Sequence, residues 1–246
     1  MPWRPAEHVG TGARSQRNGS SVYSATRVDI AELKSIRLFT EMPENDLAEL
    51  AAAASERRFA SRALVIREGG QCRALHLIME GTVEVSSAAD DQEAVIDIAE
   101  SGAALLLTSV MTECPYAAGA RTLSPARIVA IPAAAIRERF DCDRTFARAI
   151  VGELSRVSHR MLVELRSLKT RTSTERLQNW LLSVAQSNGS GTFKLLFGKR
   201  TLASLLGMTP ECLFRSFRSL AKHGVTVRGR DVMFTNGSGA FPSKDP

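Results

Sequence analysis

The chain has 246 residues, 44% of them hydrophobic and 24% charged, with a formal net charge of +6. That length accommodates one large domain or two small ones around a sizeable core. No run approaches the roughly 18 apolar residues of a membrane span, the N-terminal segment lacks the unbroken apolar stretch of a secretory signal, and Cys72, Cys114, Cys142 and Cys212 form no CxxC pair, which leaves zinc and disulfide frameworks without support. A cytoplasmic, reducing location and no membrane partner are therefore expected.

In chain order, residues 1–28 are rich in Gly, Ser, Arg and Pro without an apolar period, and a disordered arm is expected there. From Asp29 to Ser55 the spacing is helical: Pro43 and Glu44 stand at a helix start, followed by Leu47, Leu50 and Ala51. The period then switches. Between Ala63 and Pro132 short apolar runs are punctuated by Gly69, Gly70 and Gly81, and Val83 and Val85 alternate with Thr82 and Glu84. This predicts a β-roll or barrel. Residues 29–140 are read as this first domain.

A long helix is predicted over 141–170. Ile150, Leu154, Val157, Met161, Leu165 and Leu168 recur at steps of three and four, close to a heptad seam, with Phe146, Val151 and Leu162 as a second stripe. Two apolar faces call for two partners, the chain's own β-roll and the same helix of a second subunit. The alternative is a helix packed wholly within one subunit.

The segment 171–235 reads as a further domain. Thr172–Glu175 (TSTE) has the form of a capping box opening a helix, "NGSG" ends it, and "TFKLLF" reads as a strand. A short helix with Leu202, Leu205 and Leu206 then meets a turn at Gly207, an N-cap at Thr209 and Pro210 at the first helical position. Helix, glycine turn and second helix make a helix-turn-helix, and "VTVRGRDVMFT" makes a hairpin wing turning at Arg228–Gly229–Arg230. At 100° per residue Leu213, Phe217 and Leu220 share the buried face of the second helix. Glu211, Arg215, Arg218 and Lys222 lie opposite, and Phe214 is at the boundary.

Between Lys199 and Arg230 seven basic residues, with Arg200 among them, face one acid, Glu211, so the local excess equals that of the whole chain. That concentration is the footprint of nucleic-acid binding; the bland alternative is a solvated basic face with Glu211 paired to Arg215. An arginine can grip guanine and a carboxylate can accept from cytosine, while Lys199, Arg200, Arg228 and Arg230 suit phosphates. No HExxH, phosphate loop, nucleophile–base pair or carboxylate cluster points to an enzyme. Residues 236–246 read as a frayed tail.

Four stretches, "LFTEMPENDLAEL", "LIMEGTVEV", "RTSTERLQNWLL" and "RTLASLLGMTPECLFRSF", carry a resemblance to the Crp/Fnr superfamily of bacterial transcription regulators over about residues 30–235. It implies an α+β chain: an N-terminal β-roll sensor domain of the cyclic-nucleotide-binding kind, a dimerisation helix and a C-terminal winged helix-turn-helix. It implies a homodimer on double-stranded DNA, with RNA polymerase as a partner if the protein activates. In this family an acid and an arginine four apart read TTG-type half-sites of a palindrome, and Glu211 and Arg215 hold those positions. Many relatives have serine before that arginine; this chain has Phe214.

The cyclic-AMP branch carries Gly-Glu and Arg-Ser pairs where this chain has Gly102–Ala103 and Tyr116–Ala117, which argues against cyclic AMP. No cysteine precedes Cys72, so the iron–sulfur cluster of the oxygen-sensing branch is not expected. The stretch "ECPYAAGARTLSPARIVAIPA" is most similar to the NnrR-like branch controlling nitrite and nitric oxide reductase genes, which implies a nitric oxide response, with haem as a cofactor and His159 or His76 as candidate ligands. Alternatives are a ligand-independent FixK-like regulator with Cys212 as a redox switch, and a cyclic-nucleotide-responsive regulator.

Overall fold

The computed structural model describes residues 28–89 and 92–234; of the proposed arm over 1–28 it describes only Val28, which is buried in the sensor core rather than in an arm, and the rest of the arm and the tail from 236 lie outside the described residues. The N-terminal segment forms α1 (Ile30–Ser35), a 3-10 turn (Arg37–Phe39) and α2 (Glu44–Ala53). Eight strands follow: β1 (Ser55–Phe59), β2 (Leu64–Ile66), β3 (Ala74–Glu80), β4 (Thr82–Ala89), β5 (Gln92–Glu100), β6 (Ala104–Leu105), β7 (Gly119–Thr122) and β8 (Ala126–Pro132). They form two antiparallel sheets, ordered β1-β8-β3-β6 and β2-β7-β4-β5, as the switch to period two predicts. Gly81 turns β3 into β4 at φ +94°, and a Cβ there would stand 2.5 Å from the Pro125 carbonyl oxygen, so no other residue fits without movement.

One face of the first sheet, with Leu75, Leu77, Val129 and Ile131, packs against the helices around Phe39, Leu47 and Ile136. A second core, with Ile66, Ile78, Val83 and Ile128, lies between the sheets. Two helices escaped the sequence reading, α3 (Leu107–Thr112) and α4 (Ala133–Cys142). The helix expected from 141 starts instead at Arg144, as α5 (Arg144–Thr170), because the Asp143 carboxylate accepts from the Thr145 and Phe146 amides and breaks the chain away from α4.

The expected seam on α5 is divided. Ile150 is fully buried in the sensor core, with Phe146 beside it and Leu154 packed on the edge. Ile150 is therefore an intramolecular core residue, a correction to its assignment at a subunit seam. The same helix face runs beyond the sensor domain from Met161 onward, and Met161, Leu165 and Leu168 are exposed there, as are Val151 and Leu162.

Beyond α5, the helix α6 (Ser173–Asn188) opens with both halves of the capping box, Thr172 and Glu175. Strand β9 (Thr192–Lys194), α7 (Lys199–Leu205), α8 (Pro210–Ala221), β10 (Val225–Arg228) and β11 (Asp231–Phe234) complete the C-terminal unit, whose sheet runs β10-β11-β9. Its core joins Leu177, Leu181, Leu202, Leu213 and Leu220. The unit docks on the sensor: the Val95 amide of β5 donates to Ser204 Oγ of α7 at 2.8 Å, and Ile98 and Leu123 pack on the C-terminal core.

Arg127, its side chain only 11% exposed, ties the N-terminal helices to the roll, donating to both Glu32 oxygens at 2.8 Å, to Glu56 at 3.1 Å and to Glu80 at 3.0 Å. Hydrogen bonding from Arg127 holds the Glu32 carboxyl below the ordinary glutamate range. A lowered native pKa contributes stability at neutral pH that is lost as pH falls through it. Arg127→Met, which strands the buried Glu56 carboxylate, is expected to cost about 3–5 kcal/mol in denaturant unfolding at neutral pH. The deficit should narrow in acid; a gap independent of pH would contradict this account of the pair.

Candidate nucleic-acid interface

The first helix of the pair, α7, ends at Leu205 with Leu206 as its C-cap, and the chain turns at Gly207 with φ +60°. The left-handed backbone at Gly207 favours glycine; a Cβ there would meet only the Cδ2 end of the Leu168 side chain, at 2.6 Å, which is exposed and can turn aside. Thr209 then caps α8, its hydroxyl accepting from the Cys212 amide at 3.2 Å, with Pro210 at the first helical position.

Arg176 of α6 holds this turn, and sequence reasoning missed it. Its Nε donates to the Leu206 carbonyl at 2.9 Å, its Nη2 to the Gly207 carbonyl at 3.1 Å and its Nη1 to the Arg171 carbonyl at 2.8 Å. One guanidinium thus satisfies carbonyls that the end of α7 leaves open. The only signal in the sequence was an arginine one position after the capping-box glutamate, where an exposed charge is equally ordinary.

The faces of α8 fall as its rotation predicts. Leu213, Phe217 and Leu220 are buried; so is Ser216, beyond that prediction, whose hydroxyl accepts from Thr174 of α6 at 3.2 Å and lets the two helices approach closely. Glu211, Arg215, Arg218 and Lys222 are exposed on the other side, and Thr209 is exposed with Pro210 half-buried at the helix entrance. The Glu211 carboxyl is held below its ordinary range by its own backbone N–H at the helix start, then by the Thr209 hydroxyl, with Arg215 adding to it. It is an ionised acceptor at neutral pH.

Phe214 is 54% exposed and belongs to the outer surface rather than the core. Lys199, half-buried at the start of α7, sits with Nζ 5.6 Å from the Phe214 ring centroid and 5.8 Å from that of Phe217, within cation–π reach of both. Arg200 is exposed beside it, and Arg228 and Arg230 are exposed at the wing turn. Cys212 is half-buried in the first turn of α8.

The sensor residues expected to hold an effector separate. His159 lies exposed on α5 and lines no part of the sensor cavity. His76 does line that cavity, of about 300 Å³. Burial, then the charge of Arg57, pushes its imidazole down to about 4, so it is neutral. The Tyr116 ring stands 6.0 Å from the imidazole, its hydroxyl 3.5 Å from Nδ1. Together with a volume at the lower limit of the ~300–1,000 Å³ typical of ligand sites, this leaves no room for a porphyrin at His76. The residues as arranged do not fit haem. No metal-binding cluster of three or more His, Cys, Asp or Glu occurs among the described residues, and none of their helices is long and apolar enough to cross a membrane.

Residues 56–142 match the cyclic nucleotide-binding domain and residues 175–237 the Crp-like helix-turn-helix domain, together more than half of the chain. The chain belongs to the Crp/Fnr family of regulators. No curated protein matches it. Among solved structures it is similar to the c-di-GMP responsive global regulator CLP of Xanthomonas campestris, at 20% identity and TM-score 0.67, over 78% of this chain and 99% of that one. FixK2 of Bradyrhizobium japonicum matches at 15% identity and TM-score 0.66, over 74% and 92%. A CooA mutant of Carboxydothermus hydrogenoformans matches at 17% and 0.66, over 86% and 94%. At these identities the likeness is one of fold. It covers the family's whole arrangement of roll, long helix and helix-turn-helix.

Arg176→Met is expected to lower the unfolding free energy by about 1–3 kcal/mol, since it leaves the turn carbonyls unsatisfied. Lysine, with one point donor in place of a fork, should recover only part of this. An unchanged denaturation midpoint in Arg176→Met would contradict the role given to the guanidinium.

Proposed function

We propose that the protein is a sequence-specific, DNA-binding transcription regulator of the cytoplasm, acting as a homodimer on a TTG-N10-CAA-like palindrome. The observation that carries this reading is the outward face of α8. An ionised carboxylate in the first turn and an arginine one turn later project from a helix whose other side is locked into a core. Arg215 is suited to guanine O6 and N7, and Glu211 to cytosine N4. Arg218, Lys222, Arg228 and Arg230 are suited to phosphates, which fix register without reading sequence. Phe214 offers an apolar surface to a thymine methyl, with Lys199 beside it as a phosphate ligand.

Arg215→Ala is expected to cost about 1–3 kcal/mol on the palindrome and to relax base preference. Fluorescence anisotropy with palindromic and scrambled duplexes at one fixed salt concentration measures it. Equal losses on both would reduce Arg215 to a phosphate contact.

A second subunit is proposed to cover the distal half of α5, where Met161, Leu162, Leu165 and Leu168 stand exposed along more than a turn of helix. Leu165→Asp should shift the sedimentation coefficient from dimer to monomer while the far-ultraviolet circular dichroism is retained; a wild-type protein that is monomeric at micromolar concentration would contradict the dimer. If the protein activates, RNA polymerase is the further partner. Control of nitric oxide and denitrification genes is the narrower proposal. It rests on the resemblance of residues 113–133 to the NnrR-like branch, and comparing induction by nitric oxide in cells with and without the protein tests it.

A further inference from the structure

The sensor cavity has a chemistry of its own. It opens between the sheets, with β1, β3 and β8 on one side and Val65 of β2 and Tyr116 on the other. Strand period sends its groups inward: Leu75 and Leu77 point to the helices, so His76 between them points into the roll. Register sets Arg57 against Ile128, and both Ser55 and His76 against Ala130. Small side chains at Ser55, Ala74 and Ala130 are what leave the space.

The lining is of one charge sign. Arg57 and Arg73 line it together with the neutral His76, and no carboxylate is among the lining residues. Arg73 is already set in a two-pronged grip, its Nε and Nη2 donating to Gln71 Oε1 at 2.9 and 2.8 Å. The same two N–H groups could serve the two oxygens of a carboxylate; here both converge on one neutral amide oxygen, which does not cancel the charge. Phe59, Val65 and Ile128 supply apolar wall. Where cyclic-AMP-binding relatives hold phosphate this chain has Tyr116, buried, its hydroxyl donating to the Ala74 carbonyl at 2.6 Å and closing that side.

We propose that this cavity binds a small organic carboxylate, its anionic head gripped by Arg73 and Arg57 and its apolar body lying against Phe59, Val65 and Ile128. The paired guanidiniums beside an apolar wall suit a ring bearing a carboxylate. The site stands independently of the DNA-binding reading, because its measurement needs no DNA.

The test is calorimetric titration of the full chain with benzoate, with benzamide as the neutral twin and cyclic AMP as the rival. The expected result is saturable benzoate binding in the millimolar range, as befits a fragment of this size, with benzamide about tenfold weaker or more. Arg73→Gln should weaken benzoate about tenfold and leave benzamide unchanged, and Ala130→Leu, which fills the cavity, should abolish both while circular dichroism remains native. The proposal is overturned by absence of saturable benzoate binding, by equal affinity for benzamide, by benzoate affinity unchanged in both variants, or by tighter binding of cyclic AMP that displaces benzoate.

Discussion

The guanidinium of Arg176 joins three segments that must be rigid relative to one another if α8 is to present a fixed face. It reaches, from α6, the carbonyls at the end of α7, at the turn and at Arg171, the C-cap of α5. A turn held only by Gly207 would be free to hinge, since glycine imposes little of its own. With the carbonyls gripped and Thr209 capping α8, these hydrogen bonds act together with the core beneath to hold the angle between the helices. Side chains that read base edges depend on such fixed placement, because a two-pronged contact is lost when its geometry shifts.

The reading unit is also held from the sensor side. Ser204 of α7 accepts from the β5 backbone, Ile98 and Leu123 enter the C-terminal core, and Arg160 of α5 pairs with Asp97 of β5. Burial raises the carboxyls of Asp97 and Glu84 here, with Arg160 and Thr201 respectively opposing the shift. Raised native pKa values mean that these groups favour the folded, docked arrangement most at acid pH and less as pH rises through them. The contact uses α7 and leaves the outer face of α8 exposed, so sensor and reader touch without the sensor covering the reading face.

Much of this was legible in the sequence because it rests on local rules. The capping box at Thr172, the Gly207–Thr209–Pro210 punctuation and the sorting of α8 into Leu213, Phe217 and Leu220 against Glu211 and Arg215 follow from backbone chemistry and helical period. What escaped needs tertiary knowledge. Ile150 and Leu165 belong to one periodic face, and only the extent of the sensor domain decides that the first is core and the second exposed. His159 and His76 were equivalent candidates until strand direction put one in the cavity and helix exposure put the other outside it. Arg176, Ser216 and Arg127 act through partners 30 to 95 residues away in the chain, where no local pattern marks them.

In the proposed function α8 reads sequence and α5 supplies two-fold symmetry, and both meet in the shape of the DNA site. Selection of bound duplexes from a randomised pool by the purified full chain, followed by sequencing, measures that shape without presupposing it. An enriched inverted repeat is expected, its half-sites about one helical turn apart, as a two-fold pair of recognition helices requires. Recovery of duplexes with no shared motif, or of a single asymmetric half-site, would contradict it.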